Sequence, residues 1–489
     1  MFNGVYLTTL VLFSIFLTRI VAHHRKQCAT QPSIALPAFE VAITTIGAPK
    51  YDHYKAEGSK RILGIGNNLD LERGVNRLYT VPVELGGKVF HVNLDTGSSD
   101  LWLVSDKCHT NACRGASVAR YPTSFFRTTS MDVEMLYGDS KSGTFASGTV
   151  GLDTASIAGI ALPRHPFALI EDTNNLLVQF GASGIFGLSF PAASTVQAAL
   201  LGTEEGSDID VDDYVHSIES NGPLLSRMTE AKVLDIPTFS ISLERHTNGL
   251  DGKGLLTIGN LPEGIDNSSL TWVPVRLYPG KDGGMGTFSA APEEVRWEIE
   301  IDGVFLEGQR LPESTTPANG VDSERVSALI DTGNSLLRGP EDVVVKILQT
   351  LSPRFDPNVA GSVPSVPCGM APALSFQIGG QMFPIDPRDF VSQLDPEDAV
   401  ACQADNLVPT DPPSYGNLFR WSLGTPFFRS NLVVFHYGNL THPSVDPPRI
   451  GLRSNVPANA YFLMREAVKI AAEKGTSLLS RFYILHILD

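Results

Sequence analysis

This 489-residue chain is poor in cysteine, poor in basic charge and without a recognisable metal motif. Five cysteines are too few to staple a chain of this length, and no CxxC pair or HExxH helix is present. Metal binding therefore has no ligand set to start from, and no cofactor motif is present. Bases number 37 against 53 acids, a net charge of −16. That balance argues against nucleic acid as a partner, because such binding rests on neutralising phosphates with Lys and Arg. Long apolar runs are also scarce. The longest, from Val5 to Leu17, is broken by Thr and Ser and falls short of the roughly 20 residues that a spanning helix needs.

That run reads as a secretory signal peptide over residues 1–22, ending near Ala22; the alternative is an uncleaved anchor. Residues 23–73 read as a propeptide, with seven bases against five acids, whereas residues 74–489 hold 29 bases and 48 acids. The dibasic pair Lys60-Arg61 is the expected processing point, with the region near Arg73 as a competing start of the mature chain. The pair Lys50-Tyr51 is a candidate for the part of this leader that reaches into the body of the chain. Secretion is the expected route, with vacuolar or lysosomal delivery as the alternative. In an oxidising compartment Cys108 and Cys113 can close one local bridge, and Cys368 and Cys402 another, leaving Cys28 over in the leader.

From Val81 onward, short runs rich in Val, Ile, Thr and Phe alternate with Gly, Asn, Asp and Ser, as in TVPVELGGKVFHVNLDTG and ALSFQIGGQMFPID. This is strand and hairpin patterning, and it predicts a mainly β, all-β protein with helices confined to windows such as PEDVVVKILQTL. The acidic stretch GTEEGSDIDVDDYVHSIES is expected to be a solvated loop. The end of the chain, residues 455–489, is expected to form an amphipathic helix followed by an apolar end, with no role assigned.

One pattern occurs twice. VNLDTGSSDLW at residues 92 to 102 and ALIDTGNSLLRG at residues 328 to 339 each place an Asp where an apolar strand stops, 236 positions apart. The glycine after it, Gly97 or Gly333, is expected to supply a backbone conformation that other residues resist. A single buried Asp is costly, and one such turn is more often only a turn. Two copies imply two lobes, residues 74–247 and 248–454, related by a pseudo-twofold axis that brings Asp95 and Asp331 together. Two carboxyls in contact share a proton, a behaviour whose standard illustration is the aspartic protease dyad. Such a pair can activate a water and protonate a carbonyl without serine, cysteine or metal.

On these residues, residues 74 to 454 resemble the pepsin-like aspartic endopeptidases. The resemblance implies a bilobal β fold with a central cleft, Asp95 and Asp331 as the catalytic pair, and Thr96 and Thr332 bonded across the lobes beneath them. It implies that Ser98 bonds the first acid, that Tyr137 and Gly138 in MLYGDSKSG belong to a flap over the substrate, and that Trp102 supports that flap. The stretch SGIFGLSF, with Ile185, Phe186 and Gly187, resembles the element that crosses behind the first acid, and WSLGTPFF, around Leu423-Gly424, resembles its second copy. Cys108 with Cys113 and Cys368 with Cys402 fall where two of the family's disulfides lie. The resemblance also implies an acid optimum, protein or peptide substrates with apolar residues beside the cut, inhibition by the enzyme's own propeptide and by pepstatin-type compounds, and a monomer.

Three positions depart from that pattern. Asn334 stands where the family carries Thr or Ser, which predicts altered tuning of the acids. Ser422 replaces an aliphatic residue and is expected to loosen the packing behind Asp331. Asp139, after the flap Tyr-Gly as in fungal-type relatives, is expected to bond its own hairpin, the alternative being a welcome for a basic substrate side chain. Asn267 and Asn439 head sequons for glycan attachment. The competing function is a pepsin-like homologue that binds peptides or proteins without cutting them.

Overall fold

The computed structural model describes residues 39–47, 77–202, 211–243, 253–284, 293–395, 398–475 and 478. The signal peptide, Cys28, Lys50-Tyr51, Lys60-Arg61 and Arg73 lie outside the described residues, as does the chain beyond 478. What is described is mainly strand, as the alternating pattern predicts.

Eighteen strands join in one extended sheet system, accompanied by a four-stranded and a three-stranded sheet. Its backbone is a run of antiparallel neighbours drawn from both ends of the chain. Arg77–Leu85 pairs with Phe39–Gly47, which pairs with Lys253–Ile258, then Thr238–Ser242, Asn431–His436, Arg449–Ser454 and Thr271–Tyr278. Residues of the first half and of the second half thus share one ladder. Aromatic rings pack along it: Phe239 stacks on Phe435 at 4.6 Å between centroids, and Phe190 meets Trp297 at 4.3 Å. Each ring of this size removes a large apolar area from water.

The two turns are embedded in matching strand sets. Lys88–Asp95 runs parallel to Gly184–Gly187, which runs antiparallel to Leu101–Val104. In the second half Ser327–Ile330 runs parallel to Trp421–Leu423, which runs antiparallel to Leu337–Pro340. Strands covered on both faces read as continuous apolar runs, and Leu101–Val104 and Ser327–Ile330 are buried at every residue. The repeat read from the sequence is therefore a repeat of topology.

One segment differs from expectation. Within the acidic stretch, residues 203–210 lie outside the described residues, but Val211–Asn221 is a helix and not a loop. Tyr214 and Ile218, four apart, bury one face, while Asp212 and Asp213 sit in the first turn where the helix dipole favours negative charge. Near the end of the chain, where an amphipathic helix is expected, Ala460–Lys474 is helical, with Leu463, Met464, Ala467, Val468 and Ala471 on its buried face. It lies against the Cys368 turn, with Arg465 Nε donating to the Gly369 carbonyl at 3.3 Å. Cys368 is bonded to Cys402, and Cys108 to Cys113.

Candidate active site

Asp95 ends a buried strand and Asp331 follows one, and the two turns face each other. Each turn's threonine bonds the other turn twice. Thr96 N–H donates to Thr332 Oγ1 at 3.0 Å and Thr332 N–H to Thr96 Oγ1 at 3.0 Å. Each hydroxyl then donates onward, Thr96 to the Ile330 carbonyl and Thr332 to the Leu94 carbonyl, both at 2.8 Å. All four groups are buried, so this closed ring of bonds fixes the turns relative to each other.

Gly97 and Gly333 are needed for room and not for conformation, since neither has a positive φ. A methyl on Gly97 would lie 2.6 Å from Asp331 Oδ1, and one on Gly333 would lie 2.4 Å from Asp95 Oδ1. Each glycine lets the opposite acid approach. The carboxyls face each other across these glycines. Burial is the chief cause that raises both above the ordinary carboxylate range, and the donors to Asp95 partly offset it there.

The two acids are not equivalently supplied. Asp95 accepts from the Ser98 hydroxyl at 2.5 Å and from Gly97 N–H at 2.8 Å. Asp331 accepts from Gly333 N–H at 2.8 Å, and the negative charge of Asp95 raises it further. Donors to Asp95 stabilise its ionised form, so the shared proton resides on Asp331.

Asn334, the residue matching Ser98, does not turn its side chain to its acid. Its Nδ2 donates to Ser422 Oγ at 2.8 Å and its Oδ1 accepts from Leu336 N–H at 3.0 Å. Ser422 is buried, and this bond satisfies it. The two departures from the family pattern therefore answer each other, and Ser422 does not loosen the packing as expected.

The hairpin expected to form the flap joins Thr128–Tyr137 and Thr144–Ile157, in register at Tyr137 and Thr144. Gly138, at φ 82°, makes the left-handed step that opens its tip. Trp102 is fully buried, and its Nε1 donates to the Tyr137 hydroxyl at 2.9 Å. Burial first, then the charges of Asp95 and Asp100, hold that hydroxyl well above its ordinary pKa, so it stays protonated.

Asp139 bonds its hairpin through one oxygen, accepting from Ser142 N–H at 2.8 Å and from Lys141 N–H at 3.0 Å. The other oxygen accepts from Arg338 Nη1 at 2.6 Å. The sequence reading missed Arg338, and with it Asp411, which accepts from Ser140 N–H at 2.8 Å and from its hydroxyl at 2.7 Å. A signal was available, since Arg338 stands seven residues after Asp331 as Trp102 stands seven after Asp95.

Among the described residues no group of acids, histidines and cysteines forms a metal cluster, and no helix is long and apolar enough to cross a membrane. Asn267 is exposed, whereas Asn439 is partly buried with its Oδ1 taken by Thr441 and His442 N–H.

Comparison with known proteins agrees with this geometry. The sequence pattern of the eukaryotic aspartyl protease family matches residues 78–442. Human gastricsin is 28% identical over 356 residues, which is 72% of this chain and 76% of gastricsin. Pepsin A of Sus scrofa is 25% identical over 365 residues, 74% of this chain and 78% of that protein. The two acid turns, their crossing strands and the flap all fall within the matched span, and the chain belongs to the eukaryotic aspartyl protease family, as an aspartic-type endopeptidase.

Proposed function

We propose that Asp95 and Asp331 are the catalytic pair and that they cut unfolded or exposed protein segments at acid pH, preferring apolar residues on either side of the cut. The observation that carries this reading is a pair of facing carboxyls, Asp95 buried and Asp331 half-buried, fixed by the threonine ring and unequally supplied with donors. Ionised Asp95 takes a proton from a water held between the acids as the water oxygen bonds to the peptide carbonyl carbon. Asp331 gives its proton to the carbonyl oxygen. The resulting diol collapses: one of its hydroxyls gives its proton to Asp331 as the C–N bond breaks, and the departing nitrogen takes the proton held by Asp95, so the pair returns to its singly protonated state. Both acids ionise as pH rises, and the proton that the carbonyl needs is then gone.

The peptide lies extended under the flap, held by backbone bonds, with Tyr137 and Gly138 above it. The leader acts as the enzyme's own inhibitor before processing near Lys60-Arg61. The pairing of Phe39–Gly47 with Lys253–Ile258 and Arg77–Leu85 supports a leader that folds as part of the enzyme. The mature enzyme acts as a monomer, secreted or delivered to a vacuole or lysosome, and binds pepstatin-type inhibitors.

The test is cleavage of casein or unfolded haemoglobin by processed protein over roughly pH 3 to 7, with and without pepstatin. Acid-dependent, pepstatin-sensitive cleavage that is absent from Asp95→Asn and Asp331→Asn is the expected result. A processed and folded wild type that cuts nothing would overturn it in favour of a peptide-binding homologue.

A further inference from the structure

The flap is held from both lobes by side chains at the same place in the repeat. Trp102 lies opposite Ile185 of the first crossing strand, and Arg338 lies opposite Ser422 of the second. From the first lobe Trp102 bonds Tyr137 at the base of the flap tip; from the second, Arg338 bonds Asp139, two residues further on. The Arg338–Asp139 pair is withdrawn from water, with side chains 6% and 11% exposed. Ion pairs of this kind differ from surface pairs, because removing one partner strands the other charge in a poorly solvated place.

A second bond reinforces the first. Leu407–Thr410 runs beside Leu337–Pro340, with Val408 opposite Arg338, and places Asp411 just past the strand end, where it takes both donors of Ser140. The charged groups facing Arg338 are Asp139 on the flap, Asp331 on the acid turn and Asp411. Its Nε lies 3.4 Å from Asn334 Oδ1, and its Nη2 is buried without a hydrogen-bond partner. A buried N–H left unsatisfied is costly, and an extended peptide brings carbonyl oxygens into the neighbourhood.

We propose that Arg338 is a positioning residue for peptide cleavage: through Asp139 it latches the flap tip to the strand that follows the second acid, closing the flap over Asp95 and Asp331. This rests on the reading of those acids as the catalytic pair. Trp102 and Arg338 then hold the flap at two points, one per lobe, and the latch must release to admit substrate and re-form to enclose it.

The experiment compares wild type, Arg338→Leu, Arg338→Lys, Asp139→Asn and the double variant Arg338→Leu/Asp139→Asn, each processed. It reads kcat and KM on one peptide, thermal midpoint, and amide hydrogen exchange at residues 139–143. The latch predicts KM about tenfold higher in either single variant, with no further loss in the double, since the two residues act as one unit. It also predicts amide exchange of Ser140 about tenfold faster or more in Arg338→Leu, with partial recovery of KM in Arg338→Lys relative to Arg338→Leu. Losses that multiply in the double variant overturn the latch, as does unchanged exchange of Ser140 in an Arg338→Leu protein whose thermal midpoint shows it folded. If wild type cleaves and the variants match it, only the latch fails. If folded wild type does not cleave, the catalytic reading itself fails.

Discussion

The turns at Asp95 and Asp331 have the same backbone and the same threonine ring, yet their fourth residues work in opposite directions. Ser98 turns inward and donates to its acid, whereas Asn334 turns outward to Ser422. Four residues later the difference recurs, because Trp102 meets the flap with a neutral N–H and Arg338 meets it with a charge. What must be symmetric is the frame that fixes the two carboxyls; what must be asymmetric is their protonation and their hold on the flap. A pair that shares one proton cannot have two identical members at the moment of reaction.

The severest way to break the comparison is to remove an acid. Asp95→Asn and Asp331→Asn should each lower kcat by about a thousandfold or more, measured on a single peptide, since each takes away one half of the proton traffic. Their stabilities should differ from wild type in a pH-dependent way. Desolvation and the Asp95 charge raise Asp331, so its contribution to stability is fully present below the unfolded carboxylate range and is lost as pH rises through its folded pKa. Asp331→Asn should therefore flatten the fall in urea midpoint between acid and neutral pH. A slope as steep as that of wild type would show that the pair is not the buried, coupled system described.

Next in size is the threonine ring. Thr96→Val and Thr332→Val each delete a hydroxyl that accepts one buried N–H and donates to one buried carbonyl. Each should cost about 1–3 kcal/mol in denaturant unfolding, and the two costs should agree closely. Unequal costs would mean that the frame is not the symmetric part. Activity should fall with them, because the carboxyls lose their fixed separation.

Much of this was legible in the sequence, and what was not has a common cause. Strand alternation and a twofold DTG pointed to the mainly β class and to the acids, and the resemblance to the pepsin-like endopeptidases added the threonines and the flap tyrosine, because each is written in a local stretch of residues. Arg338 sits in the apolar run LLRGP, and its partner is 199 positions away on the flap. Asn334 and Ser422 looked like two separate defects because they lie 88 positions apart. Long-range side-chain pairing has no local signature, although aligning the two repeats would have set Arg338 beside Trp102. The helix Val211–Asn221 was hidden by its acids, which drew attention away from Tyr214 and Ile218 at helical spacing.

A smaller effect separates the fourth residues. Ser98→Ala removes a donor from ionised Asp95, which disfavours the singly ionised pair and raises the pKa of its formation. The acid limb of kcat/KM should move upward by about half a unit to one unit. Asn334→Ala should leave that limb in place, since its side chain makes no bond to Asp331, while costing about 1 kcal/mol through the orphaned Ser422 hydroxyl. Equal shifts in the two pH profiles would erase the asymmetry.

The finest test rebuilds the second turn in the image of the first. Asn334→Ser with Ser422→Leu gives the second turn a hydroxyl one bond from its acid and replaces the stranded polar partner with an apolar side chain. A hydroxyl at 334 would donate to Asp331 as Ser98 donates to Asp95, and the form it stabilises is the ionised one. The last proton of the pair then leaves more readily, so the basic limb of the pH profile should move downward by about half a unit, with kcat at the optimum little changed. A basic limb that stays in place while the fold is intact would mean that the position of the proton is set by burial and by the opposite carboxylate alone, and that the outward turn of Asn334 serves the Ser422 pairing and the placement of Arg338 instead of the acids.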